Sequence, residues 1–137
     1  MRTFFDSSAF SKRYVEEAGS QSVDALCAEA TELALSVVCI PEIISALNRR
    51  VREGTLSRRQ YAEAKTRFSE DVEDAAIINL TPPILYRCTA ILENSPVRAV
   101  DALHVACAAA WEADLFVSAD KRQISAAGKA GLSTKFV

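Results

Sequence analysis

A single histidine, His104, stands in this chain of 137 residues. It cannot by itself build an imidazole-rich zinc centre, and it argues against a Ser-His-Asp hydrolase. Cysteine is sparse as well. Cys27, Cys39, Cys88 and Cys107 lie far apart, form no C-x-x-C pair and sit in apolar stretches, so they read as small buried hydrophobes rather than disulfides or zinc ligands. No apolar run reaches the roughly 18 residues of a membrane-spanning helix, and the N-terminus lacks the basic start and apolar core of a signal peptide. The expectation is a cytoplasmic protein with no membrane segment. Repeats, low-complexity tracts and linkers are missing too. So is an excess of one charge: the net value of −2 does not mark the whole molecule as a nucleic-acid binder.

What is present is a globular composition. Half of the residues are hydrophobic and 25% are charged, which suits one domain over residues 1–137 with a substantial core. Charge is unevenly placed. Between Arg49 and Arg67 lie Arg49, Arg50, Arg52, Arg58, Arg59, Lys65 and Arg67 against only Glu53 and Glu63. Such a segment can supply phosphate contacts that the net charge hides, although charge runs are more often solvated helix faces.

Strand and helix patterns alternate along the chain. Residues 2–5 read as a strand, Ser8–Glu17 and Ser20–Ala30 as helices, and Glu32–Ile40 as a buried strand. Pro41 suits the first turn of a helix that Gly54 stops, and Thr55–Glu73 forms the next, capped at Ser57. Ala75–Leu80 is a third strand and Pro82–Glu93 a helix. Ser95-Pro96 opens an alanine-rich helix that is apolar nearly all round and therefore central. Leu115–Val117, Lys121–Lys129 and Ser133–Val137 complete the pattern as strand, helix and edge strand. Strands separated by helices imply a three-layer α/β/α arrangement around a mostly parallel sheet of four or five strands.

In such a sheet the ligand crevice lies beyond the carboxyl ends of the strands. Asp6 directly follows the first strand, Glu42 follows the second by one proline, and Asp120 follows the fourth; Asp101 lies early in the helix feeding that fourth strand. Each acid alone has an ordinary role. Asp6 and Asp120 fit helix N-caps, Glu42 fits a first-turn acid, and Asp101 can pair with Arg98. Together they call for a cation, since two carboxylates ~6 Å apart repel by roughly 3 kcal/mol at an effective dielectric of ~20. Hard oxygen donors without thiolate or imidazole suit Mg²⁺ or Mn²⁺, ions that serve phosphoryl chemistry.

The segments FFDSSAFSKRYVEEAGS, CIPEIISALNR, VRAVDALHVACA and LFVSADKR stand in the order and approximate spacing of a PIN domain, and the sequence most resembles the VapC-type toxins of bacterial toxin-antitoxin pairs. The resemblance spans essentially the whole chain. It implies a metal-dependent endoribonuclease with Asp6, Glu42, Asp101 and Asp120 as the acidic, metal-holding set, and Ser8 and Ser118 as hydroxyls that orient carboxylates. It also implies a cognate VapB-like antitoxin and a homodimer. His104 recurs in the family's helix motif without the role of a general base and reads as packed or capping, and Trp111 and Tyr86 read as core. Lys12, Arg13, Lys121 and Arg122 follow the acidic turns and, with Arg58 and Arg59, are candidate RNA phosphate contacts.

Two rivals belong to other classes. A phosphatase using Asp6 as nucleophile would want a second acid where Ser8 stands, and a receiver domain would want an aspartate where Thr81 stands. The other rival is a PIN fold serving as an RNA-binding or regulatory module without turnover.

Overall fold

The computed structural model describes residues 1–137. Five strands, β1 (Arg2–Phe5), β2 (Glu32–Ser36), β3 (Ala76–Ile78), β4 (Leu115–Ser118) and β5 (Thr134–Phe136), form one sheet in the order β3-β2-β1-β4-β5. All four pairings are parallel. The helices are α1 (Ser7–Phe10), extended by a 3₁₀ turn over Ser11–Arg13, α2 (Ser20–Glu29), α3 (Cys39–Arg52), α4 (Arg58–Asp74), α5 (Pro82–Asn94), α6 (Ala99–Ala110) and α7 (Lys121–Lys129).

The central strands are apolar on both sides, and their alternation builds two cores. Phe4, Ala34 and Phe116 point to one face and pack with α5, α6 and α7, where Phe4 and Phe116 stack at 5.8 Å. Phe5, Leu35 and Val117, the next residue in each strand, point to the other face and meet Phe10, Val23, Ile43, Leu47 and Phe68 of α1 to α4. A sheet buried on both faces is what all-parallel pairing requires, and it makes three layers, α/β/α.

Several boundaries differ from the sequence reading. β2 ends at Ser36 rather than continuing to Ile40, because the Ser36 hydroxyl accepts the Val38 N–H at 3.3 Å and turns the chain out of the sheet. Cys39 and Ile40 therefore begin α3, and Glu42 lies in its first turn instead of just past a strand. The first helix is also short. It tightens to 3₁₀ and stops before Tyr14, so the stretch to Glu17 is not helical. Gly19 follows at φ +95°, and a Cβ there would stand 3.0 Å from the Val137 carbonyl carbon, so this turn requires glycine on both counts. Tyr86 is not core: it is 83% exposed on α5, while Trp111 is half-buried beneath the Arg2 guanidinium.

The four thiols are free, as their spacing suggested; three are buried and Cys27 is half-buried. Burial pushes the Cys39 thiol up to about 12 and the Cys27 thiol to about 11, which leaves both unreactive near neutrality.

One polar cluster ties α4 to the end of the 3₁₀ turn. Asp71 accepts the Tyr14 hydroxyl at 2.5 Å and Arg13 Nε at 3.2 Å, and burial followed by Asp71 pushes the Tyr14 phenol well above its ordinary value. Asp71→Ala leaves the buried Tyr14 hydroxyl without its partner and Arg13 with Asp24 alone, and is expected to cost about 2 kcal/mol. Urea denaturation checks this, with the midpoint falling and the slope unchanged.

Candidate active site

The order of the strands reverses at β1 and β4, the position where open parallel sheets hold their ligands. Asp6 leaves β1 there and Ser118 ends β4. Asp6 caps α1 by accepting the Ala9 N–H at 2.9 Å, takes the Ser8 hydroxyl at 2.8 and 2.9 Å on its two oxygens, and takes the Ser118 hydroxyl at 2.6 Å. It is 1% exposed. Burial raises its carboxyl above the ordinary value, and His104 with the hydrogen bonds from Ser118, Ala9 and Ser8 opposes that rise without cancelling it.

Glu42 occupies the first turn of α3, where the helix dipole favours an acid. Its Oε1 accepts from the Ser7 hydroxyl at 2.7 Å and from His104 Nε2 at 2.5 Å. Burial alone would raise this carboxyl, but the His104 and Ser7 hydrogen bonds outweigh it and hold the group below its ordinary value. Against an ionised oxygen, Nε2 of His104 carries the proton. His104 itself is buried, and its Nδ1 has no hydrogen-bond partner.

Asp101 sits in the first turn of α6 and Asp120 caps α7. Gln123 Nε2 donates to Asp101 Oδ1 at 3.0 Å, and the Arg98 backbone N–H donates to Oδ2 at 3.3 Å. The expected Arg98–Asp101 ion pair does not form; the contact is to the backbone. Asp120 Oδ1 accepts from the Arg122 and Gln123 N–H groups at 2.8 and 3.4 Å. The N-cap roles of Asp6 and Asp120 and their place in the crevice thus coexist.

Glu42, Asp101 and Asp120 line one cavity of about 820 Å³ together with Ser7 and Ser8, and Asp6 lies behind the Ser8 hydroxyl. A second cavity of about 600 Å³, among α5, α6 and α7, has no acidic lining. The donor set at the first is all hard oxygen, and Glu42 Oε2 and Asp120 Oδ2 make no hydrogen bond to protein. In kind, and in lining one cavity, these residues fit a divalent cation. As arranged, each carboxylate faces protein donors, and no three acidic, thiol or imidazole groups stand close enough to one another to hold an ion.

The basic residues divide. Lys12 donates to the Ala18 carbonyl and pairs with Glu17, and Arg13 pairs with Asp24 and Asp71, so both are spent inside the fold and neither lines the cavity. Arg58, Arg59, Lys121 and Arg122 are exposed outside it, with Arg59 paired to Glu63 of its own helix. Arg49 and Arg98 do line it. The contacts of Ser7, His104 and Gln123 with the acids were not read from the sequence. One signal was available for His104: a lone polar residue three positions after Asp101, on the same face of an apolar helix. Gln123→Leu removes the amide that fixes Asp101 and is expected to slow any reaction at this site about 10- to 100-fold with an unchanged fold, measured by initial rates beside circular dichroism.

No functionally curated relative matches the sequence. Among solved structures, a toxin-antitoxin complex from Klebsiella pneumoniae superposes with a TM-score of 0.71 at 17% identity, covering 98% of this chain and 99% of that one. VapC20 of Mycobacterium tuberculosis, a sarcin-ricin loop cleaving toxin, gives 0.69 at 20% identity over 92% and 95% of the two chains. VapBC2 of Rickettsia felis, bound to a promoter DNA fragment, gives 0.71 at 11% identity over 100% and 99%. At these identities the likeness is one of fold. The family model for the PIN domain matches residues 3–129, from β1 to the end of α7, and the chain therefore belongs to the PIN-domain family.

Proposed function

We propose that this chain is a divalent-metal-dependent endoribonuclease and the toxin of a VapBC-type pair. The observation that carries the reading is the convergence of Glu42, Asp101 and Asp120, from three separate helices, on one cavity at the reversal of strand order, with Asp6 immediately behind it. Bound Mg²⁺ or Mn²⁺ supplies a water of lowered pKa and offsets charge on the phosphate. Glu42, Asp101, Asp120 and Asp6 are the residues that would hold it. Ser8 and Ser118 fix the oxygens of Asp6, so these serines orient a carboxylate and do not attack phosphorus. Ser7 and His104 keep Glu42 ionised and leave its second oxygen free.

The partner follows from the same reading. The Klebsiella and Rickettsia structures are toxin-antitoxin complexes, and a VapB-like antitoxin is the partner proposed here. Leu85, Tyr86, Leu92 and Val100 are exposed on α5 and at the start of α6, which supports a homodimer. No helix is long and apolar enough to cross a membrane, consistent with action in the cytoplasm. Expression of the chain alone is expected to arrest growth, and co-expression of a small neighbouring gene product to restore it. Harmless expression of catalytically active protein would overturn the toxin assignment. A binding module without turnover would bind RNA and leave it uncut in Mg²⁺ or Mn²⁺.

A further inference from the structure

Resting on that reading, the walls of the acidic cavity narrow the substrate. On α3, Glu42, Ser45, Ala46 and Arg49 recur at helical spacing and all line the cavity, so Arg49 lies on the stripe of Glu42 about 10 Å along the axis. The same cavity is lined by Arg98 at the start of α6, three residues before Asp101. Both arginines are exposed, and neither enters an ion pair, whereas Arg2, Lys12, Arg13, Arg50 and Arg59 all do. Two unpaired guanidinium groups thus flank a cavity whose other charges are negative. No aromatic side chain lines it, and its remaining surface is small, polar or aliphatic. Proteins that read unstacked bases do so largely by stacking them on aromatic rings, while arginines on a backbone position the strand without reading sequence.

We infer that Arg49 and Arg98 form a two-point phosphate clamp that holds single-stranded RNA by its backbone on either side of the acids, and that this cavity does not read bases. Selectivity among RNAs then rests on which strand segments are exposed and shaped to enter. The guanidinium pair also offsets the repulsion that four carboxylates exert on the incoming strand.

The test uses wild type, Arg49→Gln and Arg98→Gln with fluorescent 12-nucleotide oligo-U, oligo-A and oligo-C. Affinity is measured by anisotropy in EDTA over a series of KCl concentrations, and cleavage is measured separately in Mn²⁺. Each substitution is expected to weaken binding roughly fivefold for all three RNAs and to lower the salt slope by about 0.7. Unchanged affinity in both variants would overturn the clamp, as would a loss confined to one homopolymer. Binding with the expected losses but no cleavage by wild type would uphold the clamp and reject the nuclease reading. Cleavage with variants that bind like wild type would do the reverse, and failure to bind any of the three RNAs would reject both.

Discussion

Asp101→Asn is expected to reduce RNA cleavage by at least about 10²-fold while leaving the far-ultraviolet spectrum unchanged, and Asp6→Asn to do the same. The reason is charge and not shape. Asparagine keeps the size of Asp101, and its one amide oxygen can still accept from Gln123 Nε2, so only the longer 3.3 Å contact from the Arg98 N–H is lost at the first turn of α6. What disappears is an anionic oxygen at the wall of the cavity. Asp6 is nearly inaccessible, yet it lies under Ser8 and Ser118 where the crevice meets the sheet, and the same argument applies to it. Glu42→Gln is expected to be similarly severe. Asp120→Asn should be the mildest, since its Oδ1 is already committed to the start of α7. Initial rates on a labelled RNA in Mn²⁺ measure all four, and wild-type rates in both Asp6→Asn and Asp101→Asn would remove the basis for the metal-site assignment.

The second large effect is on stability, and its sign is opposite. Asp6 has a carboxyl raised by burial, so the unfolded chain gives up that proton at lower pH than the folded one. Below the ordinary carboxylate range, about pH 4, both states are protonated and nothing is lost. As pH rises through the raised value, the folded protein loses stability because it must carry a charge in a buried site. Asp6→Asn removes that loss. Without metal the variant is therefore expected to melt above wild type at pH 7, with the gap closing as pH falls toward 4. Glu42, held below its ordinary value, behaves the other way: its contribution is present at neutral pH and disappears in acid as the carboxyl protonates. Thermal melts of wild type, Asp6→Asn and Glu42→Gln from pH 4 to 8 in EDTA separate the two, and an Asp6→Asn curve parallel to wild type across the range would contradict the assignment of burial as the cause.

Much of the architecture was legible in the sequence, for reasons that particular residues make plain. The alternation of apolar runs with amphipathic stretches marked the strands along the chain, though not their order in the sheet, because β1 to β4 are short, apolar and punctuated by turn residues. It did not give the end of β2. LALSVVCI is apolar throughout, and periodicity cannot separate a strand from the opening turn of a buried helix; the Ser36 hydroxyl decides the matter, and Cys39, Ile43 and Leu47 then bury at helical spacing. Tyr86 could have been placed. Ile84, Cys88 and Ile91 mark the buried face of α5, and Tyr86 lies off it.

The acids were visible because a doubly wound sheet has one productive end, so residues just past its strands or at the start of its helices gather there. Their supports were not. His104 meets Glu42 across 62 positions of sequence, and Gln123 meets Asp101 across 22. Contacts of that range leave no local pattern. Lys12 and Arg13 show the converse limit, since closeness to an acidic turn says nothing about whether a cation is already paired, and here Glu17, Asp24 and Asp71 pair with the two.

The most direct measurement is a cleavage time course of single-stranded RNA by purified wild type, run in Mn²⁺, after EDTA, and again after excess Mn²⁺, with Asp101→Asn in parallel. The account predicts cutting that stops on chelation, returns on addition of the ion and is missing throughout in Asp101→Asn. Cutting that persists in EDTA, or that Asp101→Asn reproduces, would contradict it.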